Sequence, residues 1–94
     1  MKVRWTTPAL RQLREARLFI EAENSRAANA IGHQIEDAVG RLALFPEMGR
    51  LGRRQGTREL VVPATNFIVA YRVAADIVDI IAVLHGARKW PEHL

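Results

Sequence analysis

Residues 57–91 read TRELVVPATNFIVAYRVAADIVDIIAVLHGARKWP, three β-rich runs separated by two short turns. β-Branched and aromatic side chains suit a pleated, half-buried surface, and connections this short turn each run back against the one before it. The segment therefore predicts an antiparallel meander over residues 57–62, 67–74 and 77–85, with turns at Pro63-Ala64-Thr65-Asn66 and at Ala75-Asp76. On the last run Val78, Ile80, Ala82 and Leu84 are expected on one face, and Asp79, Ile81, Val83 and His85 on the other. Asp79 and His85 mark the second face as partly wet, so the first should carry whatever else the chain packs on the sheet.

What precedes the meander supplies that layer. Residues 2–5 (KVRW) alternate and predict a short strand. Thr7 is placed as an N-cap, with Pro8 at the first helical position. Leu10, Leu13, Ala16 and Ile20 then recur at helical spacing to about Glu23, and Leu18 and Phe19 widen the apolar face beyond one stripe. A break at Asn24-Ser25, with Ser25 as the next cap, leads to a second stripe of Ile31, Ile35, Ala38, Leu42 and Phe45, ended by Pro46. Gly32 and Gly40 lie inside this helix at a cost of up to ~1 kcal/mol each relative to alanine; each reads as close backbone packing or as a tolerated defect. Residues 46–56 (PEMGRLGRRQG) form a loop. The order β-α-α-β-β-β predicts an α+β fold, a helical hairpin on one face of a largely antiparallel four-stranded sheet.

Ninety-four residues allow a single domain spanning residues 1–94. There is no cysteine, hence no disulfide and no thiolate metal site, and no apolar stretch long enough for a membrane span. A cytoplasmic protein without membrane partners is expected. The net charge is +4, and twelve of the fourteen basic residues are arginine. Arginine favours bidentate contacts to phosphate or carboxylate, which points to an acidic partner, although arginine-rich coding bias gives much the same composition.

The candidate chemistry lies in the meander and the loop before it. Arg58, Arg72, His85, Arg88, Lys89 and Trp90, with Arg50, Arg53 and Arg54 from the loop, could line one concave, positive surface edged by His85. Cations would hold a scissile phosphate there, His85 would relay a proton, and Trp90 or Tyr71 would stack a base. The plainer reading pairs Arg58 and Arg72 with Glu59 or Asp79 across the sheet and bonds His85 to a loop carbonyl. The Gly-Arg loop lacks the P-loop pattern and precedes a strand, so it reads as a flexible basic loop or a solvated turn. His33, Glu36 and Asp37 are too few for a zinc site, and no metal or cofactor is expected. Phe67 and Tyr71 read as core. Leu18 and Phe19 form ordinary surface or a groove for a partner helix.

The Pro46-Glu47-Met48-Gly49-Arg50 loop, Gly56-Thr57-Arg58-Glu59-Leu60, Tyr71-Arg72-Val73 and the ending Val83-Leu84-His85-Gly86-Ala87-Arg88-Lys89-Trp90 resemble the RelE/ParE superfamily of bacterial toxins across essentially the whole chain. The resemblance implies a type II toxin, neutralised by direct binding of a cognate antitoxin along the helical hairpin, where Leu18 and Phe19 would be contacted, and near the sheet. RelE-like members of the superfamily are metal-independent ribonucleases that cut messenger RNA on the ribosome, whereas ParE-like members poison DNA gyrase. Arg58 matches the strand arginine that ribonuclease members place on phosphate. Trp90 stands where those members have a catalytic tyrosine, and Arg53 and Arg54 stand where some have paired lysines. The Leu-His-Gly-Ala-Arg ending is the more ParE-like. The resemblance thus implies growth inhibition through gyrase, with Arg50, Arg53, Arg54, Arg58, His85, Arg88, Lys89 and Trp90 at the target-binding end. Two alternatives stay open. One is an mRNA interferase using Arg58, Arg72 and Arg88 on phosphate and His85 as acid/base; the other is an inactive homologue serving as its antitoxin's corepressor.

Overall fold

A computed structural model describes residues 1–85. In chain order its elements are β1 (Lys2–Trp5), α1 (Thr7–Glu21), α2 (Ser25–Leu42), β2 (Arg50–Leu51), β3 (Arg58–Val61), β4 (Phe67–Ala74) and β5 (Ile77–His85). The sheet order is β1-β5-β4-β3-β2, antiparallel throughout except for the parallel pair β1 and β5. The α+β sandwich is as expected, but the sheet has five strands, not four. Inside the expected loop, Arg50 and Leu51 pair with Glu59 and Arg58 to make a short edge strand.

Both helix starts fall one residue earlier than the sequence suggests, because the better-placed oxygen wins. Thr6, not Thr7, caps α1: its Oγ1 accepts from the Ala9 N–H and also donates to the Ile80 carbonyl at 2.7 Å. One hydroxyl thus starts the helix and pins it to β5. Asn24, not Ser25, caps α2 by accepting from the Ala27 N–H at 3.1 Å. Helix α1 stops at Glu21, short of Glu23. The two glycines separate cleanly. A Cβ on Gly32 would lie 3.1 Å from the Arg17 side chain that crosses α2 there, whereas one on Gly40 would meet nothing within 4 Å.

The core lies between the hairpin and the sheet. Leu13 from α1 and Ile35, Ala38 and Leu42 from α2 meet Leu60, Val69, Tyr71, Val78 and Ile80. Phe45, expected to continue the α2 stripe, is exposed, since the helix ends at Leu42 and the chain turns away.

A bulge also corrects the expected faces of β5. Ala70 pairs with Ala82 but Tyr71 pairs with Ile80, which leaves Ile81 without a cross-strand partner. Alternation restarts beyond it, as an extra residue in one strand requires. Val78, Ile80 and Val83 therefore point to the helices, while Ala82 and Leu84 join Ala70 in a separate buried cluster on the other face. Side chains of α1 take up the backbone groups along this edge: besides the Thr6 bond, the Val83 N–H donates to Gln12 Oε1 at 2.8 Å. Where β1 ends, α1 covers the edge of β5. No helix among the described residues is long and apolar enough to cross a membrane.

Candidate functional site

The segment 46–56 carries most of the expected target-binding arginines, and three sheet residues hold it down. The first is Tyr71, fully buried on β4. Its hydroxyl donates to the Pro46 carbonyl and accepts from the Gly49 N–H, both at 2.8 Å. Burial pushes the Tyr71 pKa up, against opposing pulls from the Gly49 N–H and the Arg58 cation. Position 49 must be glycine, because a Cβ there would sit 2.6 Å from the Tyr71 hydroxyl and 2.9 Å from the Glu59 carbonyl oxygen.

Arg58 and Glu59 grip the segment from opposite faces of β3, as neighbouring strand residues must. On the helix side, Arg58 donates to the carbonyls of Gly49 (2.8 Å) and Glu47 (3.4 Å). On the other side the Glu59 carboxylate is buried. It accepts from the Arg53 N–H at 2.9 Å and pairs with the guanidinium groups of Arg53 (3.3 Å) and Arg50 (3.4 Å). Thr57 Oγ1 closes the far end by donating to the Arg54 carbonyl at 2.6 Å. The basic loop is therefore tied to the sheet rather than flexible. Glu59 pairs with Arg50 and Arg53, not with Arg58 or Arg72 as the sequence suggested, because the extra strand β2 brings Arg50 opposite it.

Among the described residues, Arg72 and His85 do not gather around Arg58. Tyr71 points to the helices, so Arg72 projects from the opposite face, where its cross-strand partner is Asp79. Asp79 is already held by Arg4 in a two-point contact of 2.7 and 3.1 Å. His85 pairs with Phe67 and returns to the helix side, its ring edge-on to Phe67 at 5.7 Å between centroids. Among the described residues, no loop carbonyl bonds its imidazole. It borders a cleft of about 450 Å³ lined also by Phe19, Ile20, Ile31, Thr65 and Asn66. Arg58 lies opposite Tyr71, four residues along β4 from Phe67. That separates Arg58 from His85 by about 13 Å along the strand direction, and by two strand spacings across the sheet. The single concave surface expected to hold Arg58, Arg72 and His85 is thus divided between two faces and two ends. Arg88, Lys89 and Trp90 fall outside the described residues.

Leu18 and Phe19 are both exposed on α1. Leu18 sits in a shallow groove with Leu10, Arg14 and Arg17, and Phe19 forms a wall of the His85 cleft. Sequence reasoning missed two organising residues, the Tyr71 hydroxyl and the Glu59 carboxylate. The available signal was an acid directly after Arg58, downstream of a run of loop arginines.

Comparison with known proteins bears on the same arrangement. In the solved chromosomal ParDE toxin–antitoxin system from P. aeruginosa, one chain superposes with a TM-score of 0.77 at 21% identity, covering 88% of this chain and 92% of that one. A chain of the RelBE2 toxin–antitoxin complex from Mycobacterium tuberculosis superposes with a TM-score of 0.59 at 27% identity, covering 93% and 92%. By sequence, the putative toxin Y4kP of Sinorhizobium fredii is 41% identical over 93 residues, which is 99% of this chain and 96% of that protein. Toxin RelE2 of Caulobacter vibrioides is 36% identical over 87 residues, 93% and 97% of the two. The family described as the ParE toxin of the type II toxin-antitoxin system, parDE, matches residues 3–90, from the first strand past the last, and the chain belongs to that family of toxins.

Proposed function

We propose that this toxin halts growth by acting on DNA gyrase and is held inactive by direct binding of a cognate antitoxin across Leu18 and Phe19. The observation that carries the gyrase reading is the division of Arg58, Arg72 and His85 between two faces and two ends of the sheet. General acid–base cleavage of a phosphodiester needs its cations and its proton-transfer group within hydrogen-bond reach of one phosphate. Arg58, moreover, already spends its guanidinium on two loop carbonyls. An exposed leucine and phenylalanine on an arginine-bearing helix suit an amphipathic peptide with carboxylates.

The likeness to a protein called RelE2 favours a second reading, an mRNA interferase with Arg58, Arg72 and Arg88 on phosphate and His85 as acid/base. One pair of assays separates them. Purified toxin should inhibit gyrase supercoiling and leave messenger RNA ends unchanged after induction. New RNA ends with normal supercoiling would replace gyrase by the ribosome and mRNA. Loss of those ends in His85→Ala would then assign His85 to the mechanism.

A further inference from the structure

Arg17 leaves α1 and lies across α2 at Gly32, where a Cβ would stand 3.1, 3.3 and 3.4 Å from its Nε, Cδ and Cζ atoms. Gly32 is buried, so the arginine rests on a stretch of helix that a larger side chain would occupy. Its Nη2 donates to Asn29 Oδ1, three residues away on α2, in a long bond of 3.5 Å. Among the described residues that is the only hydrogen bond Arg17 makes, and neither Arg17 nor Arg14 pairs with a carboxylate. A guanidinium carries five N–H donors in a planar fork. The fold thus fixes the place of this cation and leaves most of its donors open to a partner. The same side chain lines a groove of about 230 Å³ with Leu10, Leu13, Arg14, Leu18 and Glu21. Leu10, Arg14 and Leu18 recur every four residues, so this stripe of α1 reads apolar, cationic, apolar. Leu10 and Leu18 are both about half exposed.

We propose that Arg17, set in place by Gly32 and Asn29, is the specificity-determining anchor of the antitoxin interface. It takes one Asp or Glu of an antitoxin helix, whose apolar residues one turn to either side cover Leu10 and Leu18. The inference rests on the reading that the antitoxin lies across Leu18, and adds the residue that tells one antitoxin from another. The chemistry of the groove selects its occupant. Two arginines and one glutamate line it, so it holds unmatched positive charge within reach of exposed leucines. A carboxylate on an amphipathic helix answers both, by a two-point bond to the fork and by apolar cover beside it. Nucleic acid would meet the arginines and leave the leucines without partners. A second copy would bring two further arginines against one glutamate, so like charges would face each other across a two-fold axis. An arginine that must be ordered on binding loses rotamer freedom at that moment. Gly32 lets the folded toxin bear that loss beforehand, which favours a partner whose carboxylate falls at this one point.

The test uses the full chain and its antitoxin, purified as the product of the adjacent reading frame, with affinity read by titration calorimetry and folding by thermal melt. Arg17→Glu should weaken binding by about thirtyfold or more, because it removes the partner of a carboxylate and opposes it with another. Arg17→Lys should lose about fivefold, since a point charge lacks the planar fork. Changing the antitoxin's acidic residues to lysine in turn should find one that restores binding to Arg17→Glu. Gly32→Ala keeps the guanidinium but displaces it. Its affinity should fall by about three- to tenfold while the melting temperature holds or rises, alanine being the better helix former. In an Arg17→Ala background the same Gly32→Ala change should leave affinity within about twofold. Full affinity in Arg17→Glu, with binding lost in Leu18→Asp, would overturn the proposal and keep the reading beneath it. Full affinity in Leu18→Asp as well would refute that reading and the proposal together. An equal loss from Gly32→Ala in both backgrounds would overturn the placement of Arg17 by Gly32. The proposal also falls if Arg17→Glu dissolves a wild-type dimer in sedimentation, or if it abolishes binding of the wild-type toxin to duplex DNA while antitoxin affinity stays intact.

Discussion

Removing one oxygen atom at Tyr71 tests whether the loop is fastened as described. Tyr71→Phe keeps the ring in the core and deletes the bonds to the Gly49 N–H and the Pro46 carbonyl, each 2.8 Å long. Gly49 is buried, so its N–H loses its partner without gaining water. An orphaned buried group costs about 1–3 kcal/mol, and with the Pro46 carbonyl less severely affected the sum is about 2–4 kcal/mol. Urea unfolding followed by helical circular dichroism measures it. A loss under about 0.5 kcal/mol, at the level of an ordinary surface substitution, would refute the fastening. The phenol offers an independent check, because Tyr71 is the only tyrosine in the chain. Its pKa is raised on folding, chiefly by burial, so the folded state holds the phenolic proton more tightly than the unfolded state. Stability from this group is complete below the unfolded value of ~10 and falls as pH rises through the folded value. Tyrosinate absorbance should therefore rise at higher pH in native protein than in urea, and Tyr71→Phe should lose that part of the alkaline decline. Coincident titrations in buffer and urea would contradict the burial argument.

Glu59→Gln keeps an acceptor for the Arg53 N–H but removes the charge facing two half-exposed guanidinium groups. We expect a loss of about 1–3 kcal/mol in chemical denaturation, less than for a fully buried pair because water can reach Arg50 and Arg53. Gly40→Ala should stabilise by about 0.5–1 kcal/mol, since a Cβ there meets nothing within 4 Å and alanine is the better helix former; a lower thermal midpoint would mean the site is not open. Gly49→Ala should prevent stable folding or lower the midpoint sharply, because the new Cβ faces a backbone carbonyl that cannot withdraw. Ala75 holds φ +54° in the β4–β5 turn, so Ala75→Gly should be neutral or stabilising by up to about 1 kcal/mol in the same melts.

The fold was legible where periodicity carried it. Residues 67–74 and 77–85 became β4 and β5 with the expected bounds, because β-branched runs between short turns admit few alternatives. The helices were legible through Leu13, Ile35, Ala38 and Leu42, all buried as their spacing requires. What escaped depends on contacts distant in sequence. Thr6 outcompetes Thr7 as a cap because Ile80 waits 74 residues away, a partner no local pattern reveals. The bulge at Ile81 is equally silent in the string IVDIIAVL, since either face of that strand is apolar enough to be buried. At the candidate site, residue types suggested the right cations but not their neighbours. Arg58 and Arg72 are fourteen positions apart in sequence and close in strand register, yet alternation sends them to opposite faces.

The loop arginines illustrate how a fold can consume the chemistry a sequence appears to offer. A chain of 94 residues with no disulfide must hold an eleven-residue basic segment by the short β2–β3 backbone pairing and by side chains. Strand β3 does so from both faces at once, Arg58 reaching the loop carbonyls and Glu59 the loop cations, with Tyr71 fastening its beginning from β4. Each of these contacts removes a group from the stock that could meet a phosphate: Arg58 is turned inward, and Arg50 and Arg53 share a carboxylate. Met48 and Leu51 face outward on that loop, beside Leu44 and Phe45, together with the half-exposed Arg50 and Arg53. Rigidity and apolar exposure at one place favour recognition of another protein over catalysis on RNA. On this reasoning, loosening the loop through Tyr71→Phe should weaken target inhibition as well as stability, whereas antitoxin binding at the far end of α2 should be spared.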